Sequence, residues 1–164
     1  MAPVAASSLD RMVEMSAGIL LHRVRQGGVE VFLAHMGGPF WSRKDAGAWS
    51  IPKGLYGPEE QPLAAALREF FEEVGAPAPE EDYELLGEFR QPSGKRLTVF
   101  GASTHADVRF IGSNLFEMEW PPRSGRMQQF PEMDAAGWFG LEEAREKMVK
   151  GQRPILDALS PVSG

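Results

Sequence analysis

Hydrophobic positions along this chain fall into short runs set between glycine- and proline-bearing connectors, and one stretch breaks that rhythm with a helical period. "SAGILLHRV" (Ser16 to Val24) and "EVFLAHM" (Glu30 to Met36) are β-compatible apolar runs separated by "RQGG". Gly27 and Gly28 suit a tight turn, so the pair reads as a hairpin. A long loop, "GGPFWSRKDAGAW", leads into a short strand at "WSIP". From Leu63 the period changes: Leu63, Leu67, Phe70 and Val74 fall on one narrow stripe at about 100° per residue. Pro62 suits a first helical turn and Gly75 the position just past the end, which bounds that helix. "YELLGEFRQ" and "RLTVFGASTHADV" read as further strands, and "LEEAREKMV" and "PILDALS" as short closing helices. Between them "FEMEWPPRSGRMQQFPEMDAAGW" reads as mostly irregular, with Trp138 in a strand-like core position. Strands on both sides of a central helix, with helices last, predict a mixed α/β sandwich.

Composition narrows the class of molecule. A chain of 164 residues that is 43% hydrophobic fits one globular domain with a real core. The opening "MAPVAASSLDR" reads as a flexible leader over residues 1–12, followed by a single domain over 13–164. No apolar stretch approaches the roughly 20 residues of a membrane helix. The absence of cysteine excludes disulfides and thiolate chemistry and suits a cytoplasmic address. A net charge of −6 speaks against a long nucleic acid as partner, but permits an anionic small substrate if a cation compensates locally.

That cation is suggested by the polar side of the helix. Glu69, Glu72 and Glu73 are expected to project away from the apolar stripe toward one region, with Arg68 placed to support Glu72 or to reach back to the preceding loop. Taken alone, the spacing allows two readings: a solvated surface face, or oxygen ligands for a hard cation such as Mg²⁺ or Mn²⁺.

The stretch "GLYGPEEQPLAAALREFFEEVGA" resembles the Nudix box, G-x5-E-x7-R-E-U-x-E-E-x-G-U, with U a bulky aliphatic residue. Gly54, Glu60, Arg68, Glu69, Glu72, Glu73 and Gly75 occupy every fixed position, Phe70 fills the first U, and the small Ala76 departs at the last. The resemblance implies an α/β/α sandwich with a mixed sheet, hydrolysing nucleoside diphosphates linked to another moiety with Mg²⁺ or Mn²⁺. It implies that Glu69, Glu72 and Glu73 are metal ligands, one of them serving as base, that Glu60 assists and that Arg68 orients a carboxylate. It further implies that Gly54 permits a turn bringing backbone near the metal, with the Lys53 carbonyl a further ligand.

Beyond the box, Glu132 stands six residues before Trp138, similar to the family placement of one more acidic ligand or base; Asp134, Glu117 and Glu119 compete with it. "WSIPKG" is similar to the lead-in of the branch that includes diadenosine polyphosphate hydrolases. The wider pattern "GGPFWSRKDAGAWSIPKG", with "FEMEWPPRSGR" later, resembles a bacterial group of NTP pyrophosphohydrolases. Lys53, Arg43, Lys44, Arg123 and Arg126 are candidate phosphate contacts, and Trp120, Trp41 and Trp49 candidate stacking surfaces for a base. His22, His35 and His105 lack ligand spacing and read as structural. The alternatives are a nucleotide-binding module of the same fold without turnover, and a pyrophosphohydrolase of RNA 5′ ends. The resemblance also allows a homodimer.

Overall fold

A computed structural model describes residues 14–159, so the leader expected over residues 1–12 lies outside the described residues. In chain order the elements are β1 (Met15–Arg25), β2 (Gly28–Met36), β3 (Trp49–Ser50), β4 (Lys53–Leu55), α1 (Pro62–Val74), β5 (Glu84–Arg90) and β6 (Arg96–Ser103). They continue with β7 (Leu115–Glu119), β8 (Met127–Pro131), β9 (Met133–Gly140), α2 (Leu141–Lys147), a 3₁₀ turn (Lys150–Gln152) and α3 (Arg153–Asp157).

The main sheet is mixed. Its strands run β3-β2-β1-β6-β5, with β4 added beside β1 and β9 beside β2. β1 lies parallel to β6, while its pairings with β2 and β4 are antiparallel. Every residue of β1 from Ser16 to Leu21 is buried, as expected of a strand covered on both faces. Alternation then divides the core. Ala17, Ile19, Leu21 and Phe32 meet Ala65, Ala66, Phe70 and Val74 of α1 on one face. Leu20, Val31, Leu33, Leu97 and Val99 meet Ala144, Met148, Ile155 and Leu156 on the other. Two apolar cores on opposite faces of one sheet make the α/β/α sandwich that the sequence predicts.

Two expectations change. The segment read as mostly irregular is a two-stranded hairpin, β7–β8, paired from Leu115↔Pro131 to Glu119↔Met127 and separate from the main sheet. β7 alternates between exposed and half-buried residues and β8 is exposed from Met127 to Gln129, and neither has the apolar run that marks a covered strand. The strand expected through "RLTVFGASTHADV" ends at Ser103, where the Thr104 side chain turns to accept from the Ala106 N–H and donate to Glu81. Among the described residues no helix is long and apolar enough to cross a membrane.

Candidate active site

Helix α1 keeps its predicted ends. Pro62 opens it, and Gly75 closes it in the left-handed conformation (φ 87°), its N–H donating to Phe71 O at 2.8 Å. Its orientation differs from the expected one. The buried arc holds Ala65, Ala66, Glu69, Phe70, Glu73 and Val74, while Leu63 and Leu67 lie at the margin, so two of the three box carboxylates face inward rather than away from the core. Glu69 is 9% exposed and Glu73 4%. The small Ala65 and Ala66 let the helix approach the sheet on that side.

Gly54 makes the room that this orientation requires. It sits in β4 opposite Ala17, and its backbone is outside the left-handed region, so the turn expected of it is not its role. A Cβ at Gly54 would collide with the carboxylate of Glu69. Absence of a side chain there leaves the space the carboxylate occupies.

Arg68 organises the acidic groups. Its Nε and Nη2 donate to the two oxygens of Glu60 at 2.8 and 2.9 Å, while Nη1 donates to Glu69 at 2.7 Å and Glu72 at 2.8 Å. Nη2 also reaches Leu55 O at 3.4 Å, so Arg68 both supports Glu72 and reaches back to the preceding segment. Glu60 raises the guanidinium's affinity for its proton, and Arg68 in return holds the Glu60 carboxyl below the usual range.

The inward carboxylates lie under opposite pressure. Burial first, then the neighbouring Glu72, push Glu69 up to about 7, against the pull of Arg68. Burial pushes Glu73 up to about 8; Lys53 opposes it, while Glu69 and Glu132 add to it. The hydrogen bond to Glu73 comes from the Lys53 backbone N–H, at 3.3 Å. These are hard oxygen donors with too little positive charge around them. Among the described residues no three His, Asp or Glu side chains converge as a ready-made metal cluster. The Nη1 group of Arg68 stands between Glu69 and Glu72.

Glu132 joins this group from a different part of the fold. It lies between β8 and β9, its N–H donating to Asn114 O at 2.9 Å and its carbonyl accepting from Gly37 N at 2.8 Å. Burial and Glu72 raise its carboxyl, and Lys53 lowers it, which places it in the field of the box residues. Its competitors are engaged elsewhere. Asp134 pairs with His35 Nδ1 at 2.7 Å, and Glu119 accepts from the backbone N–H groups of Arg123 and Gly125 in the hairpin turn. Glu117 is exposed on β7.

The candidate phosphate and base contacts lie on two projecting segments. Arg123 and Arg126 are exposed at the tip of the β7–β8 hairpin, with Trp120 beside them. The hairpin's base is tied to the site, since Asn114 N donates to Glu72 O at 2.8 Å. The other segment is the loop between β2 and β3, which carries Trp41, Arg43 and Lys44. Lys44 Nζ sits 3.6 Å from the centre of the exposed Phe40 ring, and Phe40 meets Trp41 edge-on at 5.0 Å. His35 Nε2 donates to Lys44 O at 2.6 Å, anchoring that loop. Trp49 is committed to internal contacts: Nε1 donates to Asp45 at 2.8 Å, and its ring meets His35 and Phe139. Phe40 was not singled out by sequence, and neither was Gln152, whose buried amide holds the segment before Lys53. A single glutamine ending a short 3₁₀ turn carries no pattern that could have flagged it.

The fold and site together define a Nudix-type domain, and the wider comparison agrees. The NUDIX domain pattern matches residues 12–159, so the chain belongs to the NUDIX domain family. Among proteins of similar sequence is the mRNA-decapping protein g5R of African swine fever virus (isolate Pig/Kenya/KEN-50/1950), 31% identical over 101 residues. The match takes in 59% of this chain and 39% of that protein, so the chain spans well under half the length of the relatives it matches. Among solved structures, a C. elegans Ap4A hydrolase binary complex superposes with a TM-score of 0.59 at 19% identity, covering 90% of this chain and 96% of that one. The NUDIX domain of Shewanella oneidensis NrtR complexed with ADP ribose gives 0.62 at 16%, covering 92% and 88%. At these identities the structural likeness concerns the fold.

Proposed function

We propose that the protein hydrolyses a phosphoanhydride bond in a nucleotide whose diphosphate carries a further group, either a nucleoside triphosphate or a dinucleoside polyphosphate, with Mg²⁺ or Mn²⁺. The observation that carries this reading is the inward pair Glu69 and Glu73, buried carboxylates whose protons are held up for want of positive charge. Glu69, Glu72, Glu73 and Glu132, with the Lys53 carbonyl, would hold the ions. Bound there, a divalent ion neutralises phosphate oxygens and makes a water more acidic. The two-point grip of Arg68 on Glu60 keeps the guanidinium placed, whatever becomes of its Nη1 contacts. A carboxylate whose basicity is raised by its surroundings is suited to take the proton of the attacking water. Glu132, which arrives from a separate connection, is the one whose part as ligand or base substitution separates most cleanly. Arg43, Lys44, Arg123 and Arg126 grip the phosphates that do not react, and Trp120 offers a stacking face for the base.

A second reading keeps the chemistry and changes the substrate. The similarity to a viral mRNA-decapping protein favours the 5′ end of an RNA, of which the site would take the terminal phosphates and little more. One panel separates these readings: nucleoside triphosphates, diadenosine tetraphosphate, ADP-ribose, and capped and triphosphorylated RNA, each with Mg²⁺ or Mn²⁺, products resolved by chromatography. AMP plus ATP from diadenosine tetraphosphate supports the dinucleotide class; monophosphate plus pyrophosphate supports the triphosphate class. Absence of turnover across the panel, with nucleotide binding retained, overturns the hydrolase reading in favour of a binding module.

A further inference from the structure

The segment Ser50–Ile51–Pro52–Lys53 crosses from β3 to β4, and at Ile51 it leaves the ladder of β3. Pro52 has no N–H to give, so the pairings of Ser50 with β2 and of Lys53 with β1 leave the Ile51–Pro52 link between them outside either ladder. Ser50 and Ile51 are nonetheless wholly buried, and a buried N–H must find an acceptor. A side chain supplies it. Gln152, 1% exposed, accepts from Ile51 N through Oε1 at 3.0 Å and donates through Nε2 to Ser50 Oγ at 2.8 Å. Ser50 Oγ in turn donates to Ile51 O at 2.7 Å. The backbone beside Gln152 is stitched to the same segment, since Val149 N donates to Trp49 O at 2.8 Å.

From this anchor a short route leads to the carboxylates. Pro52 O accepts from Ile19 N at 3.1 Å, and Lys53 N donates to Glu73. The route has little slack. A Cβ at Gly18 would come within 2.7 Å of Lys53 Cβ and 2.9 Å of Pro52 O, so this stretch already lies as close to β1 as the backbone permits.

We infer that Gln152 is a positioning residue for the box carboxylates: from the opposite face of the sheet it fixes the Ser50–Lys53 crossing, and through it the Lys53 backbone against which Glu73 is set. This rests on the proposed hydrolase reading for its effect on turnover, but its effect on the crossing does not. The role resembles that of outer groups that hold metal ligands in place, whose loss costs about 10–100-fold in metal affinity or activity.

Gln152→Met keeps the length of the side chain and removes both hydrogen bonds. Leu156→Ala, in the core cluster on the same side of the sheet that also holds Ile51, loosens apolar packing but removes none of the hydrogen bonds to the crossing, and serves as the matched control. For each protein, Mn²⁺ affinity is measured by electron paramagnetic resonance, kcat and KM with the best substrate of the panel, and amide exchange at Lys53 by NMR. Q152M is expected to weaken Mn²⁺ binding and lower kcat by about tenfold or more, with KM nearly unchanged and faster exchange at Lys53. L156A is expected to lower the melting temperature and leave those quantities near wild type. If Q152M does not fold, Ser50→Ala removes one of the two anchors and carries the same readouts. Mn²⁺ affinity and Lys53 exchange unchanged in Q152M, or equally altered in L156A, overturns the inference. A wild type without turnover would instead defeat the hydrolase reading, leaving Mn²⁺ binding and Lys53 exchange to decide the role of Gln152.

Discussion

Glu73 shows how one residue can oppose stability and, on the reading proposed above, serve a site. At 4% exposure, with its hydrogen bond at 3.3 Å, its charged form is poorly compensated, and burial pushes it up to about 8. Replacing it with glutamine therefore has two opposed effects. Glu73→Gln should abolish metal-dependent turnover, yet raise the metal-free melting temperature at pH 8, where the wild-type group begins to ionise, with little change at pH 5. Calorimetry at the two pH values beside a turnover assay checks both, and a large loss of stability at pH 8 would show that the carboxylate is better compensated than described. Gly54→Ala should act in the same region by a different cause, the collision with Glu69. Its expected signature is weakened Mn²⁺ binding, by about tenfold or more as for a displaced ligand, with the far-UV circular dichroism of a folded protein. Glu132→Gln separates two roles: lower kcat at unchanged Mn²⁺ affinity marks a base, while loss of affinity marks a ligand.

At the scale of elements, the β7–β8 hairpin is an outrider. It pairs with itself, and ties at its base join it to the rest of the site through Asn114 and Glu132. If its tip meets the substrate, Arg123→Ala, Arg126→Ala and Trp120→Ala should each raise KM more than they lower kcat, roughly 5–150-fold for Trp120 if it stacks on a base. An unchanged KM in all three would remove the hairpin from the substrate site. This hairpin was also the element least legible in the sequence, because its strands make no apolar run and gain no covering layer. Helix α1, by contrast, was legible to the residue at both ends, since Pro62 and Gly75 act through backbone geometry alone. What the periodicity misplaced was its rotation. Leu63 and Leu67 outrank alanine and glutamate in hydropathy, but the side that approaches the sheet is set by the small Ala65 and Ala66 and by the space over Gly54. Ala65 and Ala66 belong to the helix itself, but the surfaces they and Glu69 meet, on β1 and at Gly54, lie outside it, and periodicity within the helix does not encode them.

For the molecule as a whole, the raised acids tie stability to pH. Glu69 and Glu73 ionise near 4.5 in an unfolded chain, but at about 7 and about 8 when folded. Between those limits the native state holds more protons than the unfolded one, so metal-free stability must fall as pH rises from about 5 to 8, then level off. A drop of about 5 °C or more in melting temperature is expected, each kcal/mol being worth roughly 2–4 °C for a chain of this size. Mg²⁺ or Mn²⁺ should restore it, most of all at pH 8, because an ion that binds the native state alone stabilises it. A melting temperature insensitive to both pH and metal would contradict the burial assigned to these groups.

The parallel pairing of β1 with β6 bears on the order in which the protein becomes whole. Helix α1 lies between those two strands in the chain, so its carboxylates are synthesised before the β6 strand that pairs with β1 beneath them, and before β9. Glu132 follows later still, and Gln152 after it. A growing chain can therefore form the acidic helix early, but it cannot yet hold its glutamates in register. Long-range parallel pairing of this kind is slow to form and favours late consolidation. On the reading proposed above, competence to bind an ion should thus arise only after β9 and the Gln152 segment have docked.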